Sequence, residues 1–488
     1  MRVRLNPALV CGVAAFLITV FFAAQNLATW PARLSYPGEE SYEGVALAEM
    51  IHLRQGVPIY ASTAVERYDA ATYGPLYYLL AGRLINLETP SYFSLRLLSV
   101  LGILGCAAGC GLLAFWLTHN YLASFLSPMV FLSYGMVSAR GIQALSDGMA
   151  LLLVFSGFLV AYRFQDSRTL LLAIPLMIFG FYYKAQYVAG PMAVFFFLLR
   201  ERRYRLATEF AGLSAFCGLG LFAFFQWVAF SGQAFWRHFL LSQTSLLSWR
   251  RFEQGLFIFS FMLFFPLIFG IEYLRAYPNR ILSCYLFFAL LFGVLTYSKD
   301  GSGIHYFFES VLLISTLVPV QIVKQINSRG YPIHLLLVLG IMLFAGQWST
   351  KRPPLTSDFA QHNAMQVFLR QNFPRHAEAL SVSPGELLQA GLETPFSGLF
   401  QLVQLAHRGV ISDGDLAAQI GARRFSVIVL SFDLWQERDP YWLNFYLTPA
   451  TRDAIEHGYA RVGSLDMPTS EKERAQDRYY IYVPRPDK

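Results

Sequence analysis

The chain has 488 residues, of which 55% are hydrophobic and 14% charged, and its mean hydropathy is +0.42. A soluble protein carries about 25% charged residues, so the composition excludes an ordinary soluble domain. The net charge of +7 does not call for nucleic acid, because a membrane protein retains Lys and Arg in its cytoplasmic loops.

In chain order, the first apolar run covers 8–29 and follows Arg2 and Arg4. It imitates a signal peptide, but its length and the lack of a small-residue cleavage site predict a retained anchor. Further runs cover 96–117, 121–138, 148–163, 169–183, 187–199, 207–230, 256–272, 281–297, 305–322 and 333–349. Most are long enough to read as membrane helices, which predicts a polytopic α-helical membrane protein with about 11 transmembrane helices. Between the first two runs lies an outer loop, 30–95. Within it "YGPLYYLLAGRLI" (73–85) is too short to span and opens on Gly74-Pro75, so it is expected to be a re-entrant or interfacial helix. The five cysteines, Cys11, Cys106, Cys110, Cys217 and Cys284, all fall in apolar runs and show neither zinc spacing nor a disulfide framework.

The connections orient the chain. With the N-terminus inside, the gaps "YRFQDSR", "RERRYR", "EYLRAYPNR" and "VKQINSRG" are cytoplasmic, short and basic, as the positive-inside tendency requires. The opposite gaps then carry the unusual polar residues on one outer face. These are Glu39, Glu40 and Glu43 in "YPGEESYEGV", Arg140 and Asp147 in "SARGIQALSDG", and Lys184 in "FYYKAQY". Arg250 and Arg251 follow in "SWRRF", then Lys299, His305, Tyr306 and Glu309 in "KDGSGIHYFFES".

From residue 354 the chain is more charged. "SDFAQHNAMQVFLRQNF" and "SDGDLAAQIGARR" read as helices, the second with a cap at Ser412 and Asp415, and "ALSVS", "FSVIVLSFD" and "YYIYVPR" read as strands. The expected organisation is a transmembrane domain over 1–353 and a small α/β domain over 354–488, outside the membrane.

A carboxylate near the outer leaflet can act as a general base on a hydroxyl. Glu40 and Glu43, three apart, would share a face if they lie on a helix. Paired carboxylates also suit a divalent cation, and Arg and Lys suit a phosphate. The plain alternatives are a solvated helix end for the acids and lipid head-group contacts for the arginines.

The order of these segments resembles the GT-C superfamily of membrane glycosyltransferases, which includes the protein O-mannosyltransferases and the bacterial aminoarabinose lipid A transferases. "GEESYEG" stands where those enzymes place a first-loop acid. "GVPIY", "YGPLYYLLAGRL" and "SLRLLSVL" follow in the family's order. "SARGIQALSDGMALLL" is similar to a segment bearing a second acid, and "KDGSGIHYFFES" to a late outer-loop segment. The resemblance implies transfer of a sugar from a polyprenyl-phosphate carrier to an acceptor hydroxyl of a lipid or glycan, with inversion, at the periplasmic face of the bacterial inner membrane. It implies Glu40 or Glu39 as base, with Asp147 beside them. Glu43, Tyr73, Lys184, Arg250, Arg251, Lys299, His305, Tyr306 and Glu309 would contact substrates. No cofactor is implied beyond an optional divalent cation, and no nucleic acid. The rival readings are a transporter or flippase of lipid-linked sugars, which needs polar residues at mid-span, and a non-catalytic scaffold.

Overall fold

Helices account for every predicted apolar run in the computed structural model, which describes residues 7–40, 42–60, 66–242, 247–329, 333–347, 352–435, 440–466 and 478–486. Arg2 and Arg4 lie outside the described residues. Among those described, five helices are long and apolar enough to cross a membrane: Val10–Ser35, Phe93–Thr118, Tyr204–Ala229, Arg280–Tyr297 and Ile304–Asn327. Trp249–Met262 and Phe264–Ala276, bent by 65°, make a sixth if they form one broken span. The runs at Tyr121–Ser133 and Ala189–Arg200 are helical but have 13 and 12 residues. At 1.5 Å per residue that is about 20 Å, short of a hydrocarbon layer of about 30 Å. Length alone therefore supports fewer complete spans than the eleven expected from hydropathy.

The chain divides into two compact units. The first comprises 1–31, 97–221 and 246–351. Here the helix Phe93–Thr118 meets Asp147–Arg163 through small residues. A Cβ on Gly102 would sit 2.4 Å from the carbonyl carbon of Gly148, and one on Gly148 would sit 2.6 Å from the Ser99 carbonyl oxygen. Backbone thus touches backbone, as small residues permit between membrane helices. The helix from Ile304 to Asn327 is buried along nearly its whole length, whereas Tyr204–Ala229 is almost entirely uncovered.

The second unit comprises 32–96, 222–245 and 352–488. Its centre is a four-stranded sheet of β1 (Ala379–Ser381), β2 (Val427–Leu430), β3 (Tyr459–Asp466) and β4 (Arg478–Pro484), in the order β1-β2-β4-β3. β1 and β2 are parallel and the other pairs antiparallel. Side chains alternate between faces along a strand. Leu380, Ile428, Leu430 and Tyr482 pack with Leu402, Leu416 and Ile455 on one side, and Ala379, Val427, Val429 and Ile481 pack with Met365 and Leu369 on the other. Three strands match the apolar segments read from the sequence; β3 was not predicted, because half its residues are exposed and Gly463 interrupts its alternation.

The expected boundary at 353/354 is incomplete. The outer loop joins the tail: Tyr68 donates its N–H to the Pro395 carbonyl (2.9 Å) and accepts from the Ser397 N–H (3.0 Å). Ala70 and Val45 enter the same core as the sheet. Segment 73–85 becomes a helix, Pro75–Ala81, continued by a short 3-10 turn, Gly82–Leu84.

Candidate active site

The acids of "YPGEESYEGV" are not a wet helix end. Glu39, Glu40 and Glu43 are 1%, 2% and 0% exposed. A buried charge is costly unless it is paired, and two arginines supply the pairing for Glu40 and Glu43. Arg96, itself buried, spends all five of its N–H donors on this loop. Its Nε and Nη2 hold the Glu43 oxygens at 2.9 and 2.5 Å, its Nη1 reaches the carbonyls of Arg33 (2.8 Å) and Tyr36 (2.5 Å), and its Nη2 reaches that of Gly38 (2.8 Å). Arg33 donates to Glu40 Oε2 at 2.7 Å. Neither partner is visible as such in sequence: Arg96 lies 53 positions beyond Glu43.

The helical reading of this stretch also needs correction. The helix begins at Glu43 and runs to Arg54, so Glu40 precedes it and the two do not share a helical face. Glu43 instead turns back, accepting the Glu40 N–H at 2.9 Å. The three acids consequently differ. Glu43 has both oxygens on Arg96. Glu39 Oε2 accepts the N–H of Gly385 at 3.1 Å. Glu40 has Oε2 on Arg33, while its buried Oε1 has no hydrogen-bond partner among the described residues. Tyr73 lies in the same unit, where its N–H donates to the Tyr78 hydroxyl (3.0 Å).

The first unit gathers a second set. Asp147 opens the helix Asp147–Arg163, held in place by the Gly102–Gly148 contact. Lys184 Nζ donates to both Asp147 oxygens (2.8 and 2.7 Å), and the Tyr187 hydroxyl donates to Oδ1 (3.0 Å). The Tyr306 ring lies 5.9 Å from Lys184 Nζ, and the charge of Asp147 also acts on His305. His305 Nδ1 is buried without a hydrogen-bond partner among the described residues. Tyr285 donates to Glu309 at 2.9 Å, and Tyr187 feels both Asp147 and Glu309. Asp147, Lys184, His305, Tyr306 and Glu309, spread over 163 positions, thus form one polar cluster, joined by Tyr187 and Tyr285.

Lys184 was expected to grip a phosphate; here it is the counter-ion of Asp147. Arg251 donates to Gln254 Oε1 at 3.4 Å, and Arg140 donates to Gln143 Oε1 at 3.3 Å. Arg250 lies in the first turn of the helix Trp249–Met262, and the residues before it are stitched to the Lys299 loop, with Leu247 bridged to Lys299 and the Ser248 N–H donating to the Ser298 carbonyl at 2.8 Å. Tyr187 and Tyr285 were missed because a lone Tyr in an aromatic-rich chain carries no pattern. Among the described residues no group of three or more His, Cys, Asp or Glu side chains is arranged to hold a metal ion.

The architecture is that of a polytopic helical membrane protein with a mixed α/β unit. More particularly, it is the fold of ArnT. The crystal structure of ArnT from Cupriavidus metallidurans in the apo state aligns with a TM-score of 0.58 at 11% identity, and that of the same protein bound to undecaprenyl phosphate with a TM-score of 0.56 at 12% identity. Each alignment covers 96% of this chain and 99% of the ArnT chain. No known family and no curated protein matches the sequence.

Proposed function

We propose that this protein is an inner-membrane glycosyltransferase that moves a sugar from a polyprenyl-phosphate carrier to an acceptor hydroxyl of a lipid or glycan on the periplasmic side. The observation that carries the reading is the likeness of nearly the whole chain to ArnT, including ArnT bound to undecaprenyl phosphate. The resemblance of the loop motifs to the GT-C transferases agrees with it.

Glu40 is the base: its Oε2 is fixed by Arg33 and its buried Oε1 accepts no hydrogen bond among the described residues. Arg33 orients it. The acceptor hydroxyl gives its proton to Glu40, and its oxygen attacks the anomeric carbon. The bond from that carbon to the phosphate oxygen breaks on the opposite face, so the configuration inverts, and the polyprenyl phosphate leaves with the bonding electrons. In the first unit, Arg250 and Arg251 are the cations proposed for the lipid phosphate, as preorganised donors stabilise charge where it develops. In the same unit, Asp147, fixed by Lys184 and Tyr187, is proposed to accept from sugar hydroxyls.

The test uses the full chain in vesicles loaded with undecaprenyl-phosphate-linked sugar. With envelope acceptor lipids present, sugar should pass to the acceptor as undecaprenyl phosphate is released. Movement of the intact donor between leaflets, with its sugar–phosphate bond unbroken, would make the protein a flippase and defeat the proposal.

A further inference from the structure

The segment bearing Glu39 and Glu40 is gripped by residues more than three hundred positions away. The N–H of Gly385 donates to Glu39 Oε2 at 3.1 Å, and Gln389 Nε2 donates to the Pro37 carbonyl at 2.7 Å. Both donors lie on the short helix Pro384–Gln389. The neighbouring helix Thr356–Asn372 adds ring contacts, with Tyr36 edge-on to Phe359 (5.2 Å) and to His362 (6.2 Å). His362 and Gln366 in turn bind the Glu386 carboxylate, at 3.0 and 2.9 Å, which fixes the short helix.

Two glycines make the grip close. A Cβ on Gly385 would lie 1.8 Å from the Tyr92 hydroxyl and 2.8 Å from Glu39 Oε2. A Cβ on Gly44 would lie 2.0 Å from Glu39 Oε2 and 2.6 Å from the Gly385 nitrogen. No side chain fits at either place without displacing the carboxylate between them. Neither glycine has a positive φ, so close approach rather than backbone conformation requires them.

We infer that Gly385 is a positioning residue for the proposed transfer: it anchors Glu39 and so holds the adjoining Glu40 where an acceptor hydroxyl can meet it. The inference rests on the transferase reading above. It gives the polar tail a direct part in the chemistry, as the support of the acidic loop. A misplacement of about 1 Å at a reacting group can cost about a hundredfold in rate.

The experiment measures kcat, KM for undecaprenyl-phosphate-linked sugar, and melting temperature for the full-length parent and three variants in vesicles. Gly385→Ala should melt below the parent, since overpacking costs about 1–3 kcal/mol, and the folded variant should keep its KM but lose about tenfold to a hundredfold in kcat. Gly385→Ala with Tyr92→Phe should recover much of that loss, because the nearest obstacle is the Tyr92 hydroxyl, which has no hydrogen-bond partner among the described residues. Gln389→Ala should lower kcat in the same direction by less, and it decides alone if Gly385→Ala does not fold. Parent kcat per folded molecule in Gly385→Ala and Gln389→Ala would overturn the inference. A parent protein that transfers no sugar would instead contradict the transferase reading itself.

Discussion

Lys184 holds both oxygens of Asp147, at 2.8 and 2.7 Å, with both residues buried. The pair joins two elements 37 positions apart and is the anchor of the polar cluster in the first unit. Lys184→Met should leave a buried carboxylate without its cation. Breaking such a pair from one side costs about 3–5 kcal/mol. Adding Asp147→Asn should return much of that stability, since both charges are then gone, but not the transfer activity. Thermal unfolding of the single and double variants checks this; equal melting temperatures for parent and Lys184→Met would contradict it.

Arg96 is the corresponding anchor in the second unit. Lys in its place keeps the charge but offers three donors from one point, not five in a planar fork. Arg96→Lys should therefore free carbonyls of Arg33, Tyr36 and Gly38 and loosen the loop. The expected outcome is a lower melting temperature and new protease cleavage between residues 33 and 43. An uncleaved loop in the variant would show that the fork is dispensable.

Glu49 predicts a pH dependence. Burial, reinforced by the charge of Asp69, pushes its carboxyl up to about 8 despite hydrogen bonds from Tyr78 and the Ala71 N–H. The folded chain then holds a proton that the unfolded chain releases near 4.5. Its favourable contribution is complete below that lower value and is lost as pH rises through about 8. The melting temperature of the parent should fall relative to that of Glu49→Gln as pH goes from 4.5 to above 8. A constant difference across that window would contradict the burial of an ionisable group there.

Much of the helical architecture is legible in the apolar runs, because in a membrane every backbone group must be paired within its own segment. The strands β2 and β4 are legible as short runs rich in Val, Ile and Tyr, and β1 lies in the short segment "ALSVS". The condition of the acids is not. Acid next to Gly and Ser after an apolar run reads as solvated, and only the fold brings Arg33 and Arg96 onto it. The joining of 32–96 to the tail is equally invisible, since it runs through backbone bonds such as Tyr68 to Pro395 and through two glycines. Asp147 with Lys184 and His305 was legible one residue at a time. Their convergence depends on how helices from three distant stretches pack.

The most direct measurement is transfer by Glu40→Gln. Glutamine can still accept from Arg33, but it cannot take the acceptor's proton. Because the change leaves a buried cation, it is paired with Arg33→Met/Glu40→Gln, which removes both charges. Both proteins should fold and bind undecaprenyl phosphate, and both should transfer sugar about 10²–10⁴-fold more slowly than the parent, the usual cost of losing a general base. Transfer at the parent rate by either folded variant would contradict the assignment of Glu40 as the base.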